Sequence, residues 1–238
     1  MKYFLYSFLL LAISCQEQGE NSLEPSTDAS EDLVGQPDES EIADTSNPMD
    51  FGLRTIDGVD IPDLDYSGNL TDCWNWDDKN GANYLIRTIG EPEFKYPESD
   101  GGELYDQYLH VYHYAKGDDG EVLLLRDLTD FIKDCMFDLI MNHIDAVMLS
   151  DIDNDNYGEI VFGYRLACTS DVSPSTQKVL LFENGDKYIL RGEAVAIGYG
   201  GDYELGNEFE TAPEGFLEHA EAYWEANKVE YALEDNEF

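Results

Sequence analysis

Positive charge is scarce in this sequence: 13 Lys and Arg stand against 52 Asp and Glu, a formal net charge of −39. Nucleic acid is held through Lys and Arg on its phosphates, so it is excluded as a partner. Adhesion to anionic lipid through the protein surface is disfavoured for the same reason, whereas a divalent cation suits the charge. Cysteine is sparse as well, with Cys15, Cys73, Cys135 and Cys168. No CxxC pair or Cys/His cluster points to zinc. Nucleophile elbows, phosphate-cradling loops and zinc-enzyme motifs are all missing. Carboxylates are numerous enough for glycoside hydrolysis, but nothing singles out a pair. The reading therefore leans away from an enzyme. Past the first 14 residues no stretch is long and apolar enough to cross a bilayer as a helix.

What is present begins at Met1. Residues 1–14 read MKYFLYSFLLLAIS, a short positive start followed by an apolar run, which is the layout of a signal peptide. The run ends in Ala12-Ile13-Ser14-Cys15. A small residue directly before a cysteine matches the bacterial lipobox, in which the cysteine thiol carries the lipid. Residues 1–14 are thus expected to be a lipoprotein signal peptide and Cys15 the lipidation site. One acyl chain anchors weakly, so a stable membrane anchor calls for several acyl chains on Cys15, such as palmitate. Residues 16–50 hold eleven Asp or Glu and no Lys or Arg. Such a segment cannot bury enough apolar surface to fold, so residues 15–60 are expected to form a lipidated, disordered acidic linker. Its flexible span is on the order of 30–40 Å. Gln16-Glu17-Gln18-Gly19-Glu20 resembles the surface-export signal of lipoproteins from Bacteroidetes-type bacteria; an acidic linker with no address reads the same way. The expected location is the outer membrane or cell surface.

The remainder, residues 61–238, suits one domain. Its period is mostly two. Tyr108 to Tyr114 alternates as strands do, and Lys116-Gly117-Asp118-Asp119-Gly120 reads as a turn into Glu121–Leu125. Ala146–Ser150 is another strand, and Ile160, Phe162, Tyr164, Leu166 and Cys168 share one face of the next. Asn184-Gly185 marks a hairpin between Val179–Phe182 and Lys187–Leu190. Phe216, Leu217, Ala220, Tyr223 and Trp224 follow helical spacing, with Thr211 and Glu214 placed as a capping box and Pro213 in the first turn. The expected fold class is mainly β: an antiparallel β-sheet domain with a C-terminal α-helix.

The sharpest motif is Asp151-Ile152-Asp153-Asn154-Asp155-Asn156-Tyr157-Gly158-Glu159. Acidic oxygens stand at positions 1, 3, 5 and 9, and Tyr157 at position 7 would add its backbone carbonyl. Calcium takes six to eight hard oxygen ligands, and a tight loop with this spacing curls them around one point. The position of the bidentate Glu of an EF-hand is Phe162, and the flanks read as strands. The pattern instead resembles the Asp-rich hairpin loops of FG-GAP and integrin-type repeats. Asn156 replaces their usual Gly, a mild departure because Asn tolerates the left-handed conformation. A structural Ca2+ is the expected cofactor, at Asp151, Asp153, Asp155, Tyr157 and Glu159; a polar turn without an ion is the rival. Asp63, Asp65, Ser67 and Gly68 imitate the start of a second loop, but Thr71 is a poor ligand. His110 and His113 lie three apart in a strand, face opposite sides and cannot easily share a metal. The aromatic run could stack on sugar rings, with Trp76 and Tyr112 as candidate glycan contacts, although aromatics also favour buried strands.

Several phrases occur together: Asp130-Phe131-Ile132-Lys133-Asp134-Cys135, Phe137-Asp138, the Asp-rich loop, Tyr164 through Pro174, Lys187 through Gly192, Gly200 through Leu205, Phe209, and the helix with Phe216 and Trp224. Their order resembles a flavobacterial family named as surface polysaccharide biosynthesis proteins, over roughly residues 105 to 227. The resemblance implies involvement with surface polysaccharide or its assembly machinery, and no defined reaction. It also implies that Cys135 and Cys168 pair, leaving Cys73 as the odd thiol. The sequence fits two functions: a non-enzymatic lipoprotein supporting polysaccharide assembly or display, and a carbohydrate-binding or adhesion module. A glycan-modifying enzyme is the third.

Overall fold

The structure is a computed structural model that describes residues 51–56, 63–96 and 102–232. The expected signal peptide, Cys15 and nearly all of the expected linker lie outside the described residues. The first sheet holds β1 (Arg54–Thr55), β2 (Asn69–Asp78), β3 (Gly81–Ile89), β4 (Glu93–Lys95), β5 (Leu104–Lys116) and β6 (Val122–Cys135). Its order is β1-β2-β3-β5, with β6 along the far edge of β5 and β4 on the near one. The second sheet holds β7 (Asp138–Ser150), β8 (Glu159–Thr169), β9 (Thr176–Glu183), β10 (Asp186–Glu193) and β12 (Tyr203–Leu205), in the order β7-β8-β9-β10-β12. Every pairing in both sheets is antiparallel. A short parallel pair joins β11 (Val195–Ala196) to β13 (Val229–Tyr231). Among the described residues one α-helix, α1, spans Phe216–Asn227. The domain is mainly β with a C-terminal helix, as the alternating pattern requires.

Side-chain alternation produces three layers. Trp76, Leu85, Leu109 and Val111 of the first sheet meet Ile160, Phe162, Leu180, Phe182 and Ile189 of the second in one core. The residues between them, Val161, Val179, Leu181, Tyr188 and Leu190, point the other way and pack under Phe216, Ala220, Tyr223 and Trp224 of α1. The central strands β8 and β9 are therefore covered on both faces, which explains their nearly unbroken apolar runs. The sandwich interior also holds Arg87, fully buried. Its guanidinium donates to both carboxylate oxygens of Asp72, at 2.7 and 2.6 Å, and to Ile144 O of the second sheet at 2.8 Å. A forked, fully hydrogen-bonded pair is the form in which a buried charge is tolerated.

Two expectations change. Order reaches further back than residue 61: Phe51 is buried in the core, and β1 pairs Arg54 with Asn75 and Thr55 with Trp74. A single aromatic anchor with a two-residue bridge is enough to hold this stretch, and neither leaves a periodic signal. The capping box does not form. Thr211 ends a 3-10 turn (Asn207–Thr211), and the chain enters α1 through Gly215 in the left-handed conformation (φ 92°) without a side-chain cap. A Cβ on Gly215 would also meet Ile152 at 2.6 Å, so glycine is required twice over.

Candidate metal centre

Three hairpin ends gather at one end of the sandwich. The β9–β10 turn is Asn184-Gly185, with φ of 43° and 89°, the two positive values a type I′ turn needs. Its Asn184 accepts a hydrogen bond from Asn80 in the β2–β3 turn at 3.0 Å. Between them lies the Asp-rich loop joining β7 to β8. It curls because Asn154 and Asn156 adopt φ of 60° and 71°, and because its own carboxylates cap its backbone. Asp155 N donates to Asp153 Oδ1 at 3.2 Å, and Tyr157 N donates to Asp155 Oδ1 at 2.8 Å.

The loop is held from both sides. Asp78 at the end of β2 accepts from Gly158 N at 3.0 Å and from the Trp76 indole at 3.1 Å, while Lys79 N donates to Asn156 O at 2.9 Å. A Cβ on Gly158 would meet Trp76 Nε1 at 2.8 Å, so only glycine passes there. On the helix side, Ile152 packs into the core under α1, and His219 Nε2 lies 3.1 Å from Ser150 Oγ.

The carboxylates converge. Asp151, Asp153 and Glu159 each offer an oxygen within 4.8 Å of the others, and so do Asp153, Asp155 and Glu183. Asp153 belongs to both groups. Ligands on opposite sides of one calcium ion stand about 4.6–5.2 Å apart, twice the metal–oxygen distance, so the span fits. Glu183, the last residue of β9, was not among the ligands expected from sequence. Tyr157 is in the loop, its ring 4.3 Å from Lys79 Nζ.

Two of these acids are buried. Glu159 is fully buried and Glu183 is 8% exposed. Glu159 Oε2 accepts from Ile152 N at 2.9 Å and from Ser150 Oγ at 3.0 Å. Among the described residues, Glu159 Oε1 and Glu183 Oε1 have no hydrogen-bond partner. A buried carboxylate oxygen with no donor is costly, and a cation is the partner such a site accepts. Burial, and secondarily Asp153, pushes Glu159 up to about 7. Burial, then the charges of Asp153, Asp155, Glu159 and Asp186, pushes Glu183 up to about 8. Asp153 is raised by burial and by Asp155 and Asp151. The residues thus fit a hard divalent cation. They do not fit a Ser-His-acid relay, since Ser150 lies between Glu159 and His219 and a relay needs the histidine in the middle.

Other sequence candidates are placed differently. Asp63 and Asp65 are exposed, and among the described residues they join no cluster able to hold a metal. His113 is buried beside Trp76 and donates from Nε2 to Asn83 Oδ1, 3.0 Å away, while His110 contacts Thr129 on the other face. Trp76, expected as a glycan contact, is instead fully buried with its indole donated to Asp78, so no ring face is open to a sugar. Tyr112 is half-buried against Tyr114 and accepts from Ser67 N at 3.1 Å. Cys135 and Cys168 form a disulfide, with Cα atoms 5.7 Å apart, and Cys73 is free and buried. No family model, curated protein or solved structure matches this chain.

Proposed function

We propose that this chain is an exported lipoprotein, anchored through Cys15 at the outer membrane or cell surface. Its β domain is pinned by a structural calcium ion and supports the assembly or display of surface polysaccharide. The observation that carries the calcium reading is the pair of buried, unpartnered oxygens on Glu159 and Glu183, facing three loop aspartates. Calcium suits the site better than magnesium, because it accepts more oxygens and an irregular shell, whereas magnesium keeps its waters. Anchoring rests on the residues before Cys15 and on the acidic stretch after it. The polysaccharide role rests on the resemblance of residues 105 to 227. Asp151, Asp153, Asp155, Glu159 and Glu183 would hold the ion, with the Tyr157 carbonyl as a further ligand.

Two experiments separate the parts. Cys15→Ala should move the protein from the membrane fraction to the soluble one and abolish labelling by a palmitate analogue; persistent labelling would exclude Cys15. Deletion of the gene should change the amount or length of surface glycan, and unchanged glycan would leave the anchor standing and remove the polysaccharide role.

A further inference from the structure

Four of the chain's scarce basic side chains share one cleft. Between β6 and the inner faces of β8, β9 and β10 lies an opening of about 300 Å3 lined by Arg126, Asp130, Tyr164, Lys178, Lys187 and Arg191 among others. Four of the chain's 13 Lys and Arg line it, against two acids, Asp127 and Asp130. Strand alternation shows how unusual the placement is. Ile189 is in the core between the sheets, so Lys187 and Arg191, two residues away on either side, share its inward face. Lys178 likewise shares the face of Leu180 and Phe182. The ladder sets Arg191 directly opposite Lys178, and Lys178 opposite Tyr164. Like charges facing each other across a pair of strands are destabilising, and inward positions favour apolar side chains.

The acids present offset only part of this. Asp130 is paired with Lys178 and accepts from the Tyr164 hydroxyl at 2.8 Å. Arg126 donates to Gly185 O at 2.6 Å. Lys187 and Arg191 make no side-chain hydrogen bond or ion pair among the described residues, although Glu204 stands opposite Arg191 in the ladder.

We propose that this cleft binds a compact oxyanion, a sulfate or carboxylate group, clamped by Arg191 and Lys187 with Lys178 behind it. The planar guanidinium offers paired donors to such a group, and the lysines supply point charges. A long polyanion is disfavoured by the strongly negative remainder of the chain, so the ligand is a free anion or a single acidic sugar unit. None of these residues belongs to the metal centre, and the inference stands or falls without it.

The test is a titration of the full-length protein at constant ionic strength, followed by amide NMR shifts or calorimetry. The probes are inorganic sulfate, glucuronate and neutral glucose. Saturable shifts on β6, β9 and β10 are expected with sulfate or glucuronate and not with glucose. Tighter binding of glucuronate identifies the sugar-borne carboxylate, and tighter binding of sulfate the free anion. Arg191→Gln and Lys187→Gln should each weaken binding by about tenfold, the loss of one charge-assisted hydrogen bond. Both side chains are at least partly exposed, so each variant should fold. Lys228→Gln, a surface lysine paired with Glu225, should bind as wild type. Failure of both anions to saturate, or equal binding by wild type and both cleft variants, overturns the proposal.

Discussion

Asp153 and Glu183 bring carboxylate oxygens within 4.8 Å of each other, although one lies in the β7–β8 loop and the other ends β9. Antiparallel pairing of β8 with β9 causes the meeting: Ile160 stands opposite Phe182, so the residues just beyond each, Glu159 and Glu183, fall at the same end of the sheet. Without a cation these carboxylates repel one another. Glu183→Gln keeps the shape and removes one buried ionisable group and one ligand. The calcium-free variant should melt higher than wild type, while its calcium affinity should fall by about tenfold, or about 1.4 kcal/mol. Calorimetry with and without calcium reads both. An unchanged calcium shift would remove Glu183 from the ligand set.

Asp153 is shared by both carboxylate groups, so its loss should cost more than that of any other loop acid. If, as proposed, calcium binds the folded loop and not the unfolded chain, it should stabilise wild type by about 2.7 kcal/mol at a hundredfold excess over its dissociation constant. Magnesium should do less. General screening of negative charge is the competing cause. Asp153→Asn and Glu218→Gln change the net charge equally, but Glu218 lies on α1 outside the cluster. Only Asp153→Asn should lose the calcium shift, and equal shifts in the two variants would reduce the loop to a polar turn.

The hairpins were legible because turn chemistry and period two are local. Asn184-Gly185, the Lys116–Gly120 turn and the Asp-rich spacing each declare themselves within ten residues. Glu183 was not legible, because its role depends on which strand neighbours β8. The burial of Trp76 depends in the same way on the second sheet. The Arg87–Asp72 pair is not legible because nothing in a sequence marks a charge as buried. The helix start misled because Thr211 and Glu214 had the right spacing, while Gly215 was needed for close approach to Ile152.

The Cys135–Cys168 bond joins the end of β6 in the first sheet to β8 in the second. Peptide mapping without reductant should recover these two cysteines as one linked species. With a separation of 33 residues, reduction should destabilise the domain by about 3–4 kcal/mol in the chain-entropy account. Cys73 should resist alkylation until the protein unfolds, since it is buried and burial pushes its thiol up to about 12. A linked peptide containing Cys73 would contradict the pairing.

Proton release should accompany metal binding, and its sign follows from burial. Glu159 and Glu183 titrate near 7 and 8 in the folded protein, against 4.5 for an ordinary glutamate. Between pH 4.5 and 8 these two glutamates therefore hold more protons in the calcium-free folded state than in the unfolded chain, and their contribution makes stability fall as pH rises through that window. His113 and His143, pushed down to about 3 by burial, act the other way: their contribution is lost as pH falls from 6.5 to 3. Above about pH 7.5 the histidines are neutral in both states and only the glutamates of these four still titrate, so the calcium-free melting temperature should decline from about pH 7.5 to 8. Calcium needs both carboxylates ionised, so binding at pH 6.5 should expel between about one and two protons per ion. Affinity should rise with pH and level off above 8. Calorimetric titrations in two buffers of different ionisation enthalpy measure the release directly. Glu183→Gln should lower it by about one proton, and identical heats in both buffers would show that the glutamates are not the groups that meet the ion.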